Sequence, residues 1–131
     1  MERRELFNCI TAYLESHLQE SPTLDKLEGE LHYSKFYLNR IFREMSGKTI
    51  GAYVRARRLT EAARSLVETD ISIVQISLDA GYNSQQAFTG AFRQVYHCSP
   101  KIYRKRKQFY PVCPPLNVSV LSLYRLEGCA A

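Results

Sequence analysis

The chain has 131 residues, 45% of them hydrophobic, and a formal net charge of +5, which suits one compact domain or two small units. No apolar run reaches membrane-spanning length and the N-terminus is too charged for a secretion signal, so we expect a cytoplasmic protein with no membrane partner. The cysteines lie far apart, with no Cys-x-x-Cys and no paired histidines, which predicts reduced thiols and no metal site (Cys9, Cys98, Cys113 and Cys129).

The start of the chain predicts two helices. Apolar side chains recur at helical spacing over residues 4–20 (Phe7, Ile10, Leu14 and Leu18). Pro22 ends this segment, and Thr23 can cap a short helix that runs to residue 31. A two-residue turn then leads into the next helix, which gives a helix-turn-helix pattern.

A helix with one apolar and one polar face is predicted for residues 34–45. Ser34 can cap its first turn, and its apolar positions fit a helical repeat (Leu38, Ile41, Phe42 and Met45). The opposite face carries groups that reach outward (Phe36, Asn39, Arg40 and Arg43). Amide and guanidinium groups match base-edge patterns in the DNA major groove. Taken alone, the stretch is more simply an ordinary amphipathic surface helix, but a second copy of it changes that interpretation.

The second copy begins fifty residues further on, at Ser84. The apolar positions are occupied again (Phe88, Ala91, Phe92 and Val95). The outward positions carry a new set of residues (Gln86, Thr89, Gly90 and Arg93). An internal repeat at a fixed spacing indicates one structural unit used twice. Two polar-faced helices in one chain suit the recognition of two nearby sites.

Between the two copies lies the longest predicted helix, over residues 50–68. It is free of Gly and Pro beyond its first turn, so we expect a stiff connector. A short helix over residues 73–80 follows, because Ser72 and Gln75 form a capping-box pattern. Gly81, which adopts positive φ at little cost, turns the chain into the second copy.

The chain ends in a last helix and a tail. Ser99 and Pro100 open the helix, since Pro is compatible with a first turn, and a basic cluster at 104–107 closes it. Prolines make the following link non-helical (Pro111, Pro114 and Pro115). Alternating apolar residues then suggest one β-strand (Val118, Val120 and Leu123).

Basic charge follows the two candidate recognition helices. Residues 1–33 hold seven acidic and three basic side chains, whereas residues 34–64 hold eight basic and two acidic ones. Residues 93–107 add six basic side chains and no acid. This distribution is typical of a phosphate-binding surface, although a solvated basic face has the same composition.

Many spaced residues resemble the DNA-binding domain of the AraC/XylS family over about residues 5–107 (Tyr33, Ser34, Arg40, Ile41, Phe42, Arg43, Gly47, Tyr53, Arg57, Arg58, Leu59, Ala62, Ile76, Gly81, Tyr82, Phe88, Phe92, Arg93, Ser99, Pro100, Tyr103 and Arg104). The tripeptide Ser84-Gln85-Gln86 is similar to the small MarA/SoxS/Rob-like branch. The resemblance implies an all-α fold of two helix-turn-helix subdomains joined by a long connector helix, with a short irregular C-terminal tail.

The resemblance also implies a domain organisation and a function. Residues 1–107 would form a bipartite DNA-binding domain, with helix-turn-helix units at about 23–46 and 72–96 and a connector at about 50–68. Residues 108–131 would be a tail, a remnant of a Rob-type second domain that is packed on the surface or partly disordered. The protein would be a sequence-specific transcription regulator, an activator that binds promoter DNA as a monomer and contacts RNA polymerase.

DNA contacts are predicted on both recognition helices, which we expect in successive major grooves about 34 Å apart. Residues predicted to contact bases are Phe36, Asn39, Arg40, Gln85, Gln86 and Thr89. Residues predicted to contact phosphates are Ser34, Lys35, Arg43, Lys48, Ser84, Arg93 and Lys101. Among them, Arg40 is expected to read guanine through O6 and N7.

Five positions depart from the pattern of the branch. His32 stands where Gly is usual in the turn, and Glu28 where a small residue is usual, which predicts a less tightly packed first turn. Phe36 replaces Trp, Asn39 replaces Gln and Gly90 replaces a base-contacting Arg, so the target sequence cannot be carried over. Because Gly90 offers no side chain to a base, the second recognition helix is expected to bind DNA with little dependence on base sequence. The alternative is that Gly90 lets the helix backbone approach the bases more closely.

Nothing in the sequence supports catalysis, and no cofactor is expected. The histidines have no clustered carboxylates, Cys nucleophile or Gly-rich phosphate loop beside them (His17, His32 and His97). The alternative function is a protein-interaction module that binds RNA polymerase or another regulator with little specific DNA binding, and an acidic-leaning first helix could serve it. A sensor of small ligands would need a domain large enough to enclose one, which this chain does not offer.

Overall fold

The computed structural model describes residues 2–21 and 23–117, and within these residues the chain forms seven helices and no strand. The helices are α1 (Arg3–Ser16), α2 (Thr23–Leu31), α3 (Lys35–Ser46), α4 (Ile50–Glu68), α5 (Ile73–Asp79), α6 (Gln85–Tyr96) and α7 (Pro100–Arg106). This all-α architecture confirms the predicted fold class. The strand predicted around Val118, Val120 and Leu123 lies outside the described residues. Across the described ranges, no helix combines the length and the apolar character needed to cross a membrane.

The chain divides into two compact units. The first comprises Met1–Arg55 with Pro115–Ala131, and the second comprises Ala56–Pro114. The first unit contains α2 and α3 and the second contains α5 and α6, so each unit holds one pair of helices joined by a turn. The helix α4 has the bounds predicted for the connector; its first turns belong to the first unit and the rest to the second.

The first unit is built on the apolar faces of α1, α2 and α3. Met45, predicted to face inward, is half-buried. The other side chains predicted to face inward on α1 and α3 are among those buried there (Leu6, Phe7, Ile10, Leu14, Leu18, Leu27, Leu38, Ile41 and Phe42). The rings of Phe7 and Phe42 stack with centroids 5.1 Å apart, and Phe42 also packs against Tyr53 at 5.2 Å. Burial of one such phenylalanine contributes about 1.5–3 kcal/mol. This packing fixes α3 with its opposite face outward.

The helix α1 is shorter than predicted at its C-terminal end. It ends at Ser16 instead of continuing to residue 20, and residues 17–19 form a turn. The Tyr13 carbonyl accepts a hydrogen bond from the His17 N–H, and Nδ1 of the His17 ring lies 2.9 Å from the same oxygen. The ring therefore closes the helix end locally, by a side-chain contact with a terminal carbonyl that periodicity cannot reveal.

Two predicted caps differ in detail. Thr23 is the first residue of α2 and not its cap, and its hydroxyl donates to the Glu20 carbonyl (3.3 Å). Ser72 does cap α5, since its oxygen accepts the Gln75 N–H (3.1 Å). The Gln75 amide, however, donates to Asp79 (2.9 Å) and does not complete the capping box. Side chains four residues apart are neighbours on a helix surface, and here that pairing competes with the box.

The second unit is built around an aromatic cluster. One face each of α4, α5, α6 and α7 is buried in it (Leu59, Ala62, Ala63, Leu66, Ile76, Ala80, Phe88, Phe92, Tyr96 and Tyr103). Phe92 stacks on Tyr96 with centroids 4.7 Å apart and meets Tyr103 edge-on at 5.3 Å. Burial raises the pKa of the Tyr96 and Tyr103 hydroxyls. The Tyr96 hydroxyl donates to the Tyr110 carbonyl (3.3 Å), and the Tyr103 hydroxyl accepts the Tyr110 N–H (3.1 Å).

Residues 108–117 lack regular structure, as predicted for the tail, but they are more than a surface remnant. In the second unit, the buried Cys113 carbonyl accepts a hydrogen bond from Arg57 (2.7 Å). In the first unit, the Leu116 N–H donates to the Tyr53 hydroxyl (2.9 Å). These partners are 56 and 63 residues apart in the chain, and no local pattern predicts contacts over such separations.

Candidate nucleic-acid interface

The helix α3 presents its predicted polar face to solvent. Ser34 Oγ accepts the Tyr37 N–H (3.1 Å) and so caps the helix, as predicted. One side of α3 is anchored in the core (Leu38, Ile41 and Phe42). Arg40 and Arg43 on the other side are exposed. Guanidinium groups on a firmly packed helix can reach a ligand without rearrangement of the core.

Phe36 is also on this face, with 80% of its surface exposed. A phenylalanine in water forgoes the benefit of burial, about 1.5–3 kcal/mol, so packing within the protein gives no reason for its position. An apolar side chain on a helix in the major groove can contact a thymine methyl group. The exposure of Phe36 fits the predicted base contact, which stays a prediction.

Arg40 lies between two groups of its own helix. Its guanidinium carbon is 5.5 Å from the centre of the Tyr37 ring, and its Nε is 3.6 Å from Glu44 Oε1. The Arg40 side chain is nevertheless 68% exposed, so it projects beyond the helix surface. The Nη atoms at its end are the donors that a bidentate contact with guanine would use.

Asn39 has a structural role that the sequence did not reveal. Its Oδ1 accepts the backbone N–H of Ile50 (2.9 Å), the first residue of α4. The side chain therefore satisfies one of the free donors at the start of α4. The amide NH2 of Asn39 remains the group that could contact a base. The base contact of Asn39 stays a prediction.

Carboxylates of α2 lie at the N-terminal end of α3 and bind groups there. Glu28 Oε2 accepts the backbone N–H of Lys35 (2.7 Å), and the Lys35 ammonium lies 3.2 Å from Asp25 Oδ1. Negative charge at a helix N-terminus is favoured by the helix dipole. The predicted phosphate contact of Lys35 would therefore have to compete with Asp25. Ser34, although it accepts the cap hydrogen bond, keeps its own O–H as a donor for phosphate.

The turn before α3 accommodates its unusual residues. His32 adopts the left-handed conformation that favours Gly (φ 61°), and its N–H bonds to the Glu28 carbonyl (3.0 Å). The sequence predicted a less tightly packed turn from His32 and Glu28. In the structure Glu28 instead links α2 to the first turn of α3, through the hydrogen bond to Lys35.

The helix α6 repeats the arrangement in the second unit. Ser84 Oγ accepts the Ala87 N–H (3.1 Å), and buried aromatic side chains anchor the helix (Phe88, Phe92 and Tyr96). Gln85 and Gln86 are exposed and Thr89 is half-buried. The residues predicted to contact bases thus lie on one accessible side of α6, and their contacts stay predictions.

Two glycines shape the second unit in different ways. Gly81 has φ of +92°, and a Cβ added there would lie 3.0 Å from the Arg58 guanidinium, so the turn before α6 requires glycine. A Cβ added at Gly90, in contrast, would meet nothing within 4 Å. The fold therefore does not require glycine at position 90.

Part of the basic charge that composition assigned to DNA is used inside the second unit. Arg57 is buried, and burial also lowers the pKa of the Arg58 guanidinium. Arg104 Nε donates to the Leu66 carbonyl (2.9 Å) and so satisfies the C-terminal end of α4. The basic surface available to a ligand is accordingly smaller than the sequence indicates.

Four of the residues predicted to contact phosphates are accessible cations. Arg43, Arg93 and Lys101 are exposed and Lys48 is half-buried. Within the part of the chain that the structure describes, none of these four side chains forms an ion pair. They are therefore accessible to phosphate groups, and their phosphate contacts stay predictions.

Cysteine, histidine and acidic side chains do not form a metal site among residues 2–21 and 23–117. Cys9, Cys98 and Cys113 are free thiols in that part of the chain. Each of the two units holds a helix that is capped by a serine, packed on the core and exposed on its polar side. These are the features of a helix-turn-helix protein, a class that binds DNA.

Comparison with known proteins shows which helix-turn-helix proteins this chain resembles. A model of the helix-turn-helix domain family matches residues 27–106. The transcriptional regulator Rob of Salmonella typhimurium is 35% identical over 120 residues, which are 90% of this chain and 42% of Rob. The regulatory protein SoxS of Escherichia coli is 36% identical over 106 residues, which are 81% of this chain and 99% of SoxS. The chain therefore spans less than half of Rob but nearly the whole of SoxS.

A solved structure of a DNA-binding domain is also similar to this chain. The DNA-binding domain of AdpA, in complex with a target DNA, has a TM-score of 0.68 and 26% identity, over 76% of this chain and 90% of that one. The chain belongs to the AraC-type helix-turn-helix family of transcription regulators, in the branch that contains SoxS and Rob.

Proposed function

We propose that the protein binds promoter DNA in the cytoplasm as a monomer, through α3 and α6, and activates transcription by contacting RNA polymerase. The observation that carries this proposal is the matching presentation of the two helices. Each is capped by a serine and held by buried phenylalanine, and each turns polar side chains to solvent. The similarity to the transcriptional regulator Rob and the regulatory protein SoxS supports a regulatory role, and the protein needs no catalytic step of its own to fulfil it.

A single chain with two reading helices does not require a second copy to hold two half-sites. Dimers of proteins with one reading helix each bind sites with two-fold symmetry, in which half-sites are one helical turn apart. Here the two faces differ, with Arg40 on α3 and Gly90 at the corresponding place on α6. We therefore propose a site without a palindrome that spans about two turns of DNA.

The two helices are also expected to contribute differently to DNA recognition. An arginine that binds guanine bidentately contributes about 1–3 kcal/mol of discrimination, and α6 lacks such a residue at position 90. The fold does not require glycine there, because a side chain would meet open space. We propose that α3 sets the sequence specificity. The helix α6 would add affinity through Arg93 and the residues at its N-terminal cap, with little dependence on the base sequence.

A gel shift and a footprint test the proposal together. Selection from random duplexes at fixed salt is expected to enrich one asymmetric sequence, and nuclease protection of that sequence is expected to cover about two turns. The complex is expected to contain one protein chain per duplex by native mass spectrometry. A footprint of a single turn, or a two-fold site occupied by two chains, would contradict the proposal.

The same gel shift separates DNA reading from the alternative function. A protein-interaction module that binds RNA polymerase or another regulator would show only weak binding to all fragments alike. The acidic side chains expected to serve it do not form a patch on the first helix, because Glu20 lies beyond α1 and bonds to Lys26 (3.0 Å). That hydrogen bond lowers the pKa of the Glu20 carboxyl. The structure of this region thus favours the DNA-binding function.

A further inference from the structure

Glu44, in the last turn of α3, lies between two arginines. Its carboxylate forms an ion pair with Arg40 one turn earlier (Nε to Oε1, 3.6 Å). It also accepts a hydrogen bond from Arg3 of α1. The guanidinium of Arg40 is in addition 5.5 Å from the centre of the Tyr37 ring. The side chain predicted to read a base is therefore held on two sides.

Helix stability does not account for a carboxylate at this position. An acidic side chain near a helix C-terminus opposes the helix dipole. A glutamate placed four residues after a basic residue is also the less favourable order of the pair. The Glu44 side chain is 45% exposed, and surface ion pairs contribute little to folding. Another role is needed to explain Glu44.

Direct reading of a base by Glu44 does not account for the residue either. In a helix-turn-helix unit, the N-terminal residues of the recognition helix contact base edges, and Glu44 is in the last turn of α3. An unpaired carboxylate on a helix that approaches DNA would be repelled by the phosphates. The two arginines neutralise this charge and leave the carboxylate as a fixed acceptor between them.

We propose that Glu44 is a positioning residue that orients the Arg40 side chain for its base, and that Arg3 in turn orients Glu44. A free arginine side chain loses rotamer freedom when it binds, and prior ordering removes that loss from the binding step. A fixed guanidinium also adapts less readily to a wrong base, so ordering increases discrimination. This inference rests on the proposed DNA binding through α3.

The test is to measure the affinity of the Glu44→Gln variant for two DNA duplexes. The first is the preferred site, and the second is the same site with one base pair replaced. The replaced pair is the one at which Arg40→Ala relaxes the preference. The ratio of the two affinities is expected to fall about two- to tenfold, as for the release of one ordered side chain. Affinity for random DNA is expected to hold or rise, because one negative charge is removed. The unfolding temperature is expected to stay unchanged, whereas a purely structural role would lower it and weaken both sites alike.

The helix α4 provides a matched control. Glu68 pairs with Arg64 one turn earlier at 3.6 Å and is 54% exposed, which reproduces the arrangement of Glu44 and Arg40 in the second unit. Glu68→Gln removes the same charge and is expected to leave the affinity ratio unchanged. Arg3→Gln, which removes the other partner of Glu44, is expected to lower the ratio in the same direction by a smaller factor.

The outcomes separate this inference from the proposed function. An unchanged ratio in Glu44→Gln, with a clear sequence preference in the native protein, overturns the positioning role and leaves DNA binding through α3 in place. A native protein without any preference among sequences overturns the proposed function, and the positioning role fails with it.

Discussion

Arg57→Ala is expected to lower the free energy of unfolding by about 1–3 kcal/mol, because it removes the buried Arg57 donor from the buried Cys113 carbonyl. Arg57 is 1% exposed and donates to the Cys113 carbonyl (2.7 Å) and to Glu61 (3.0 Å). Alanine would remove the donor that Cys113 uses and would leave the partly buried Glu61 with Arg64 as its remaining arginine partner. Urea unfolding followed by far-UV circular dichroism measures the change.

Arg55→Ala serves as the control for this experiment. Arg55 lies on the same helix but is exposed, and surface substitutions of this kind change stability by about 0.5 kcal/mol or less. Equal losses in the two variants would contradict the structural role assigned to Arg57. A loss confined to Arg57→Ala would also show that residues after α7 contribute to folding, because the guanidinium reaches them through Cys113.

Arg40→Ala is expected to weaken binding to the preferred site by about 1–3 kcal/mol and to relax the preference at one base position. The reason is the loss of a side chain that projects from α3 with 68% exposure and offers two parallel donors to guanine. Selection from random duplexes with native and variant protein measures both effects. A preference profile that stays the same in Arg40→Ala would contradict the assignment.

Lys48→Ala is the matched comparison for Arg40→Ala. Lys48 follows α3 and carries the same charge, but we assign it to a phosphate. Its removal is expected to weaken binding to all sequences alike and to reduce the salt dependence of log K by about one unit of slope. If Lys48→Ala changed the preference at one base and Arg40→Ala did not, the two assignments would have to be exchanged.

The helix starts were predictable because their causes are local. The caps predicted at Ser34 and Ser72 are confirmed, since each serine accepts an N–H three residues ahead. Ser84 and Ser99 do the same at the starts of α6 and α7. Periodicity likewise identified the buried side of α3 and α6, since three or four apolar positions at helical spacing define one face. The starts and the buried faces of these helices can therefore be predicted from the local sequence.

Contacts between distant residues were not predictable in the same way. The amide of Asn39 looked like a base reader, because its place on the polar face says nothing about its hydrogen bond to Ile50. Arg57 and Arg104 were counted with the DNA-binding charge, although both bind carbonyl groups inside the second unit. A charged residue reveals its charge in the sequence but not its partner.

The segment after α7 illustrates the same limit. Its prolines correctly predicted an irregular chain, but the Cys113 N–H donates to Thr60 Oγ1 (3.1 Å), and the Tyr110 N–H donates to the Tyr103 hydroxyl (3.1 Å). A hydroxyl on a helix can accept from any chain that reaches it, and the order of residues does not show which chain does. The sequence therefore did not predict which groups residues 108–117 contact.

We propose that α3 and α6 bind two half-sites and that α3 sets the specificity. Scrambling each half-site separately, and measuring affinity at one fixed salt concentration, tests it most directly. Each mismatched base pair in a specific site costs about 1–3 kcal/mol, so scrambling the half bound by α3 is expected to remove most of the sequence preference. Scrambling the half bound by α6 is expected to have a clearly smaller effect, because Gly90 offers no side chain to a base. Equal losses from the two scrambled half-sites would contradict the account.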